Sequence, residues 1–217
     1  MEGAPEANQR FGVGMAMGLD QVGGYAQDAY PFAEVYAQAE TRLAGWLYLG
    51  ASGSYRQDLN NYNHALGGFQ DSQAAGLAAQ TFIGYDGRGF HISMGPWLYG
   101  SSRRRPDFRL RVLPYGVLRL RFGSQSGWHG RVQLGDAAPF TASGGYSARF
   151  LLGAPRWRNH QGAAGLYTSI GEKVLGITAM DEVRCSASIG WRFGVSLGAV
   201  MDHPGRIEAA VFSGAAW

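Results

Sequence analysis

The amino-acid sequence predicts an all-β fold, a transmembrane antiparallel up-and-down β-barrel of about 12 strands. Three observations support this prediction. Apolar residues alternate with small or polar residues along most of the chain, the connections alternate in length, and tryptophans lie beside one set of connections. The 217 residues include 34 Gly and 13% aromatic residues, too much glycine for helical packing and too much apolar surface for disorder. No stretch approaches the roughly 20 apolar residues of a membrane helix.

The alternation defines eight strands clearly and four less evenly. In the first strand, Phe11, Val13 and Met15 alternate with glycine and alanine, a period of two that is typical of a strand. The first eight predicted strands lie at 11–19, 32–39, 47–52, 75–84, 90–99, 108–122, 128–134 and 146–152. The last four are predicted near 158–170, 173–180, 183–200 and 206–217.

The polar face of these strands is rich in Gly, Ser, Arg and Tyr. The longest alternation runs from Val183 to Ala199 and shows this composition throughout. In a soluble sandwich the polar face would be wet and rich in Lys, Glu and Thr. Small and polar residues suit the inside of a closed barrel whose apolar face meets lipid, and a soluble β-sandwich or β-barrel is the alternative.

The connections carry an independent signal because they alternate in length. Transmembrane barrels combine tight periplasmic turns with longer extracellular loops. The connections are alternately long and short at 20–31, 40–45, 56–72, 86–88, 100–107, 123–127 and 135–145. The alternation weakens after residue 153. For a barrel of about 12 strands, both termini are predicted on the short-turn, periplasmic side.

Tryptophans form a third signal. An aromatic girdle at the periplasmic interface is predicted from four of them, each beside a short connection or at the chain terminus: Trp46, Trp128, Trp157 and Trp217. The final segment IEAAVFSGAAW resembles the C-terminal strand of bacterial outer-membrane β-barrels, which ends in Phe or Trp. The resemblance implies a location in the bacterial outer membrane, and partners that are outer-membrane lipids, lipopolysaccharide and the barrel-insertion machinery.

One barrel domain is expected to span residues 1–217, with residues 1–9 as a flexible N-terminal segment, and to be a monomer. The single Cys185 excludes an internal disulfide framework and a multi-cysteine metal site. The five histidines lack metal-ligand spacing, so neither a metal nor another cofactor is predicted. Aromatic residues are not interleaved with Lys and Arg on an exposed face, so no nucleic-acid partner is expected.

Arginine carries nearly all of the basic charge, with 18 Arg against one Lys. If the apolar residues face lipid, eight arginines line the lumen: Arg109, Arg111, Arg119, Arg121, Arg131, Arg149, Arg184 and Arg192. Glu34 and Glu208 are then nearly the only acids on that face and are expected on the opposite wall. Such a lumen would set up a transverse field and favour anions. In the alternative, the arginines fill the lumen and pair with these two acids and with backbone carbonyls.

These patterns predict a narrow porin-like channel for small anionic or polar solutes. In length, strand number and arginine-lined lumen the chain resembles acidic-oligosaccharide porins. The alternative is a closed structural or partner-binding barrel with a plugged lumen. The segment GSSRRRPDFRLRVLPYG resembles a family of scaffolding barrels that bind murein-processing enzymes. Its Arg103, Arg104 and Arg105 lie in a predicted outer loop, either solvated or bound to lipopolysaccharide phosphates.

An enzymatic reading depends on His91 and Ser93, which lie two apart on one strand face. His-x-Ser resembles outer-membrane phospholipases and lipid A deacylases. In those families an Asn follows the Ser and the pair faces lipid. Here Met94 follows, and the alternation turns His91 and Ser93 into the lumen. No catalytic residue is therefore predicted, and the protein is expected not to be an enzyme.

Overall fold

Twelve antiparallel strands form the described part of the chain in a computed structural model. The structure describes residues 9–21, 29–58, 75–87, 89–101, 109–124, 127–135, 147–169, 173–186, 189–201 and 207–216. The strands are β1 (Gln9–Gln21), β2 (Ala29–Arg42), β3 (Leu47–Asp58), β4 (Ala75–Gly87), β5 (Phe90–Ser101), β6 (Arg109–Gly123), β7 (His129–Leu134), β8 (Ser147–Gly153), β9 (His160–Ser169), β10 (Val174–Arg184), β11 (Gly190–Val200) and β12 (Ile207–Ala216). Within these ranges no helix is long and apolar enough to cross a membrane.

The sheet closes on itself. Each strand pairs with its neighbour in sequence, and β1 pairs with β12 from Gly12 opposite Ala216 to Asp20 opposite Glu208. Closure leaves no strand edge unpaired, which is the condition for crossing a bilayer with strands. The predicted all-β antiparallel barrel of 12 strands is confirmed.

The outer surface of the barrel is apolar. Large apolar side chains alternate outward along the strands, and Met15 and Val195 are 58% and 54% exposed. Inward positions on the same strands are far more buried, as Ala16 on β1 and Ser196 on β11 show. A surface on which Met, Val, Leu and Ile are this exposed is stable only in an apolar surrounding.

Connection lengths follow the predicted alternation through residue 146. The short-turn end of the barrel carries connections 43–46, 88–89, 124–128, 154–159 and 185–189. The opposite, long-loop end carries 22–28, 59–74, 102–108, 135–146, 170–173 and 201–206. The connection of only four residues at 170–173 explains why the pattern weakens in the second half of the sequence.

Three of the four girdle tryptophans lie at the short-turn end. Trp46, Trp128 and Trp157 are strongly exposed there, and Trp217 lies outside the described residues. Trp191, near the start of β11, is also exposed at this end, and its indole N–H donates a hydrogen bond to Ser213 Oγ at 2.8 Å. Exposed indoles at one level of a barrel are typical of a membrane–water interface.

The predicted strand 183–200 is wrong in its boundaries, because it is interrupted by a turn. β10 ends at Arg184, the backbone N–H of Cys185 donates to the Ile189 carbonyl at 2.9 Å, and β11 begins at Gly190. Arg184 lies directly opposite Gly190, an even number of positions later. Since opposite residues share a face, the apolar alternation continues across the turn unchanged. The period-two pattern alone therefore does not separate the end of β10 from the start of β11.

Several inward glycines make room for aromatic rings from other strands. Tyr167 lies against two of them, and a Cβ atom at Gly176 or Gly198 would lie 2.4 Å from the nearest atom of its side chain. Tyr36 lies in the same way against Gly14 and Gly214. The space that each glycine leaves is thus occupied by a ring from another strand.

The apolar outer face predicts a depth-dependent cost of charge. Val195→Arg should lower the free energy of unfolding in lipid vesicles by about 2–4 kcal/mol, because Val195 lies within the outward apolar band. Ile189→Arg, in a turn at the short-turn end, should cost no more than about 1 kcal/mol, as expected near an interface. Equilibrium denaturant unfolding measures both values. Equal losses would show that the outward face does not lie in hydrocarbon.

Candidate functional site

The short-turn half of the lumen contains a layer of charged side chains. Strand alternation turns these side chains inward, and strand register brings them to similar distances from the short turns. This charged layer consists of Glu40, Arg119, Arg121, Arg131, Glu182 and Arg192.

One ion pair of the charged layer crosses the lumen. Arg119 Nη1 of β6 lies 3.6 Å from Glu40 Oε1 of β2, although these strands are not neighbours in the sheet. The Arg119 guanidinium also lies over the Phe82 ring, 4.2 Å from its centroid. This cation–π contact fixes where the side chain extends into the lumen.

A second ion pair lies along the wall. Arg192 Nε of β11 donates to Glu182 Oε2 of β10 at 2.8 Å, and Arg192 also interacts electrostatically with Glu40. Glu182 in turn interacts with Arg131 of β7. The charged layer is therefore an electrostatically continuous group that reaches from one wall to the other.

An arginine from a connection joins this group. Arg156, in the connection 154–159, extends inward and donates from Nη2 to Gln161 Oε1 at 3.3 Å. It also interacts electrostatically with Glu182. Arg158, two residues later, instead lies over the exposed ring of Trp157, with Cζ 4.9 Å from the ring centroid.

Buried side chains from different strands pack together in the long-loop half of the lumen. Tyr167 and Glu208 are each 1% exposed, and the Tyr167 hydroxyl donates to Glu208 Oε1 at 2.6 Å. Arg56 stacks on Phe32 with Cζ 3.9 Å from the ring centroid, and both side chains are buried. The Tyr167 hydroxyl of β9 and the Glu208 carboxylate of β12 thus satisfy each other within the lumen, as buried polar groups require.

The expectation that Glu34 and Glu208 are nearly the only inward acids is wrong. Glu40 and Glu182 also face the lumen, where each contacts an arginine. Glu40 falls in the predicted turn 40–45 but lies in β2, and Glu182 falls between two predicted strands but lies in β10. Arg119 and Arg192 therefore have carboxylate partners other than the two predicted acids.

The other predicted lumen residues are placed as follows. Arg121 and Arg131 lie opposite each other on β6 and β7, and buried Arg149 of β8 donates from Nη1 to Gln133 Oε1 at 3.5 Å. Glu34 is buried on β2. Arg184 is exposed at the end of β10, so it lies at the mouth of the barrel rather than within it. The backbones of Arg109 and Arg111 belong to β6, but their side chains lie outside the described part.

His91 and Ser93 of β5 both face the lumen. The His91 ring stacks on Tyr48, with centroids 4.7 Å apart, and His91 Nε2 is hydrogen-bonded to the Tyr48 hydroxyl. Ser93 is buried. Neither side chain lies on the outer face, where an acyl chain of the membrane would be. Among the described residues no group of three or more His, Cys, Asp and Glu side chains could hold a metal ion.

Comparison with known proteins identifies the fold. No protein-family model and no curated protein sequence matches the chain. The KdgM porin is similar in structure, with a TM-score of 0.55 at 11% identity over 95% of this chain and 98% of that one. An outer membrane channel from Pseudomonas putida F1 has a TM-score of 0.55 at 9% identity over 99% and 97%. The chain has the fold of bacterial outer-membrane β-barrels.

The similar structures differ in activity. Outer membrane phospholipase A from Escherichia coli has a TM-score of 0.51 at 13% identity and covers 96% of this chain and 92% of its own. Porins, channels and an enzyme therefore share this architecture, and the fold does not separate transport from catalysis. Together with the apolar outer face, it supports a location in the bacterial outer membrane.

The buried tyrosine–carboxylate contact predicts a stability difference between two matched variants. Tyr167→Phe removes a donor to buried Glu208 and should cost about 1–3 kcal/mol of unfolding free energy. Tyr55→Phe removes a hydrogen bond of the same length, to Gln57 Oε1, but on the exposed outer surface. It should change stability by no more than about 0.5 kcal/mol. Denaturant unfolding in detergent measures both, and a larger loss for Tyr55→Phe would contradict the packed long-loop half.

Proposed function

We propose that this barrel is a narrow channel for small anionic or polar solutes, with the charged layer as its selective part. The observation that carries the proposal is the excess of positive charge. In the charged layer and its neighbour Arg156, the five guanidinium groups of Arg119, Arg121, Arg131, Arg156 and Arg192 face two carboxylates, those of Glu40 and Glu182.

The excess acts strongly on solutes because the lumen is narrow and enclosed. A charge inside a low-dielectric wall is screened less than one on an open surface, so the local concentration of anions rises. Twelve strands fall between the eight that side chains fill and the 16 or more of open porins. The ion-paired side chains of the charged layer are also partly exposed, which supports access by water and small ions.

A closed structural barrel is the second candidate function. The observation that favours it is the packing of the long-loop half, where Phe32, Tyr167 and Glu208 are fully buried. In a closed barrel, the ion pairs and the tyrosine–carboxylate contact would stabilise the wall and transmit no solute. The two candidates differ in conductance, so one measurement separates them.

Reversal potentials across a planar bilayer under a salt gradient test the channel. Wild-type protein should be anion-selective. Arg121→Gln with Arg131→Gln removes two positive charges and should shift the reversal potential toward cation selectivity. Arg119→Gln with Glu40→Gln removes one charge of each sign and is the matched control, so it should leave the reversal potential near the wild-type value.

The outcomes separate the candidates. Wild-type protein without conductance steps above the bilayer background would refute the channel and favour the closed barrel. Conductance with the same reversal potential in all variants would leave a channel but would show that the charged layer does not select its solutes.

A further inference from the structure

A continuous arc of basic groups lines one side of the lumen at the short-turn end. Its members come from β7, β11 and the connection between β8 and β9, and they surround Glu182 of β10. Because β7 to β11 are consecutive neighbours in the sheet, these groups share one stretch of wall. This basic arc consists of His129, Arg131, Arg156 and Arg192.

Among the described residues, the positive charge of the basic arc exceeds the negative charge around it. Glu182 is hydrogen-bonded to Arg192 and interacts only electrostatically with Arg131 and Arg156. Glu182 thus interacts with three guanidinium groups, of which Arg192 also interacts with Glu40. In the described part of the chain the Nε atoms of Arg131 and Arg156 are buried and have no hydrogen-bond partner. Buried charged donors are costly unless a partner of opposite charge satisfies them.

The imidazole of His129 is a second, independent feature of the same wall. This side chain is 4% exposed, and its Nδ1–H donates to the Gly127 carbonyl at 3.0 Å. Its Nε2 is buried without a hydrogen-bond partner among the described residues, and a Cβ atom at Gly153 would lie 2.1 Å from it. The contact with Gly153 fixes the ring. Because Nδ1 carries the proton in the neutral ring, Nε2 can donate a hydrogen bond only when His129 is a cation. The guanidinium groups, in contrast, are always charged and always donate.

We infer that the basic arc binds an oxyanion group, a phosphate or a carboxylate, of a solute that enters the lumen from the short-turn end. A guanidinium group offers a planar fork of donors that matches two oxygens of such a group. The members of the arc face the lumen, so lipid headgroups at the outer surface do not reach them. This inference rests on the proposed function, because it names the chemical group that the lumen receives.

Two arginines in the same connection provide a matched test. Arg156 belongs to the basic arc, whereas Arg158 lies over Trp157 at the outer surface. Inorganic phosphate is titrated into the purified full-length barrel in a phosphate-free nonionic detergent, and binding is measured by calorimetry. Arg156→Gln should weaken phosphate binding about tenfold or more, the effect of losing a charge-assisted contact. Arg158→Gln should leave the dissociation constant within about twofold of wild type, as expected outside the site.

Arg131→Gln tests a second member of the basic arc, one that lies on a strand, and should also weaken phosphate binding about tenfold. Circular dichroism and heat-dependent gel migration confirm that each variant is folded, and Arg156→Gln, in a connection, tests the site even where Arg131→Gln does not fold. Equal losses for Arg156→Gln and Arg158→Gln, or complete displacement of phosphate by chloride at equal ionic strength, would overturn the site. So would the absence of saturable binding to wild-type protein.

The binding measurement is independent of conductance. Saturable phosphate binding by a barrel that passes no current would refute the channel and leave the oxyanion site standing. Current without saturable binding would refute the site and leave the channel standing.

Discussion

Pairing between β1 and β12 is the constraint on which the rest of the structure depends. The apolar side chains on the outer face require an apolar surrounding, and there an unpaired backbone N–H or C=O group costs several kcal/mol. Only closure of the sheet removes the two edges at once. On the inner side of the first strand, Gly14 and Gly18 leave room for the rings of Tyr36 and Phe32 from β2 and for the close approach of the β12 backbone.

Closure also decides what the inner side chains must do. Every second described side chain of a strand points into the lumen, where bulky and charged groups from strands that are not neighbours meet. The structure solves this differently at its two ends. The long-loop half packs Tyr167, Glu208, Phe32 and Arg56 into buried contacts, whereas the short-turn half keeps charges that remain partly accessible. Charge–charge interactions therefore dominate one half of the lumen, and side-chain packing dominates the other half.

Much of the fold could be predicted from the sequence, because a period of two specifies strands and also the face of each side chain. The prediction failed where periodicity carries no information. The even spacing between Arg184 and Gly190 hides a turn. The predicted second strand ends one residue before Glu40, and Glu182 falls between two predicted strands. Extending the alternation of β2 by one more residue of the same parity would have identified Glu40 as an inward acid.

Partners across the lumen could not be predicted in the same way. Alternation gives the face of a residue but neither its height nor the strand opposite, so nothing in the sequence pairs Arg119 with Glu40. Arg156 was missed for a different reason, because it lies in a connection and belongs to no alternating pattern. Local backbone geometry and strand register, rather than composition, bring these groups together.

The rings seated on glycines have a consequence for how the chain chooses among alternative strand pairings. A shift of one residue between neighbouring strands would expose the wrong face to lipid, but a shift of two would preserve every inward and outward assignment. The pattern of hydrophobic residues therefore does not disfavour a register that is shifted by two residues. The ring of Tyr167 does disfavour it, because moving β10 by two positions would replace Gly176 beneath the ring with Val174 or Thr178. The contacts between rings and glycines thus favour the native strand register over the register shifted by two residues, which hydrophobicity alone does not distinguish.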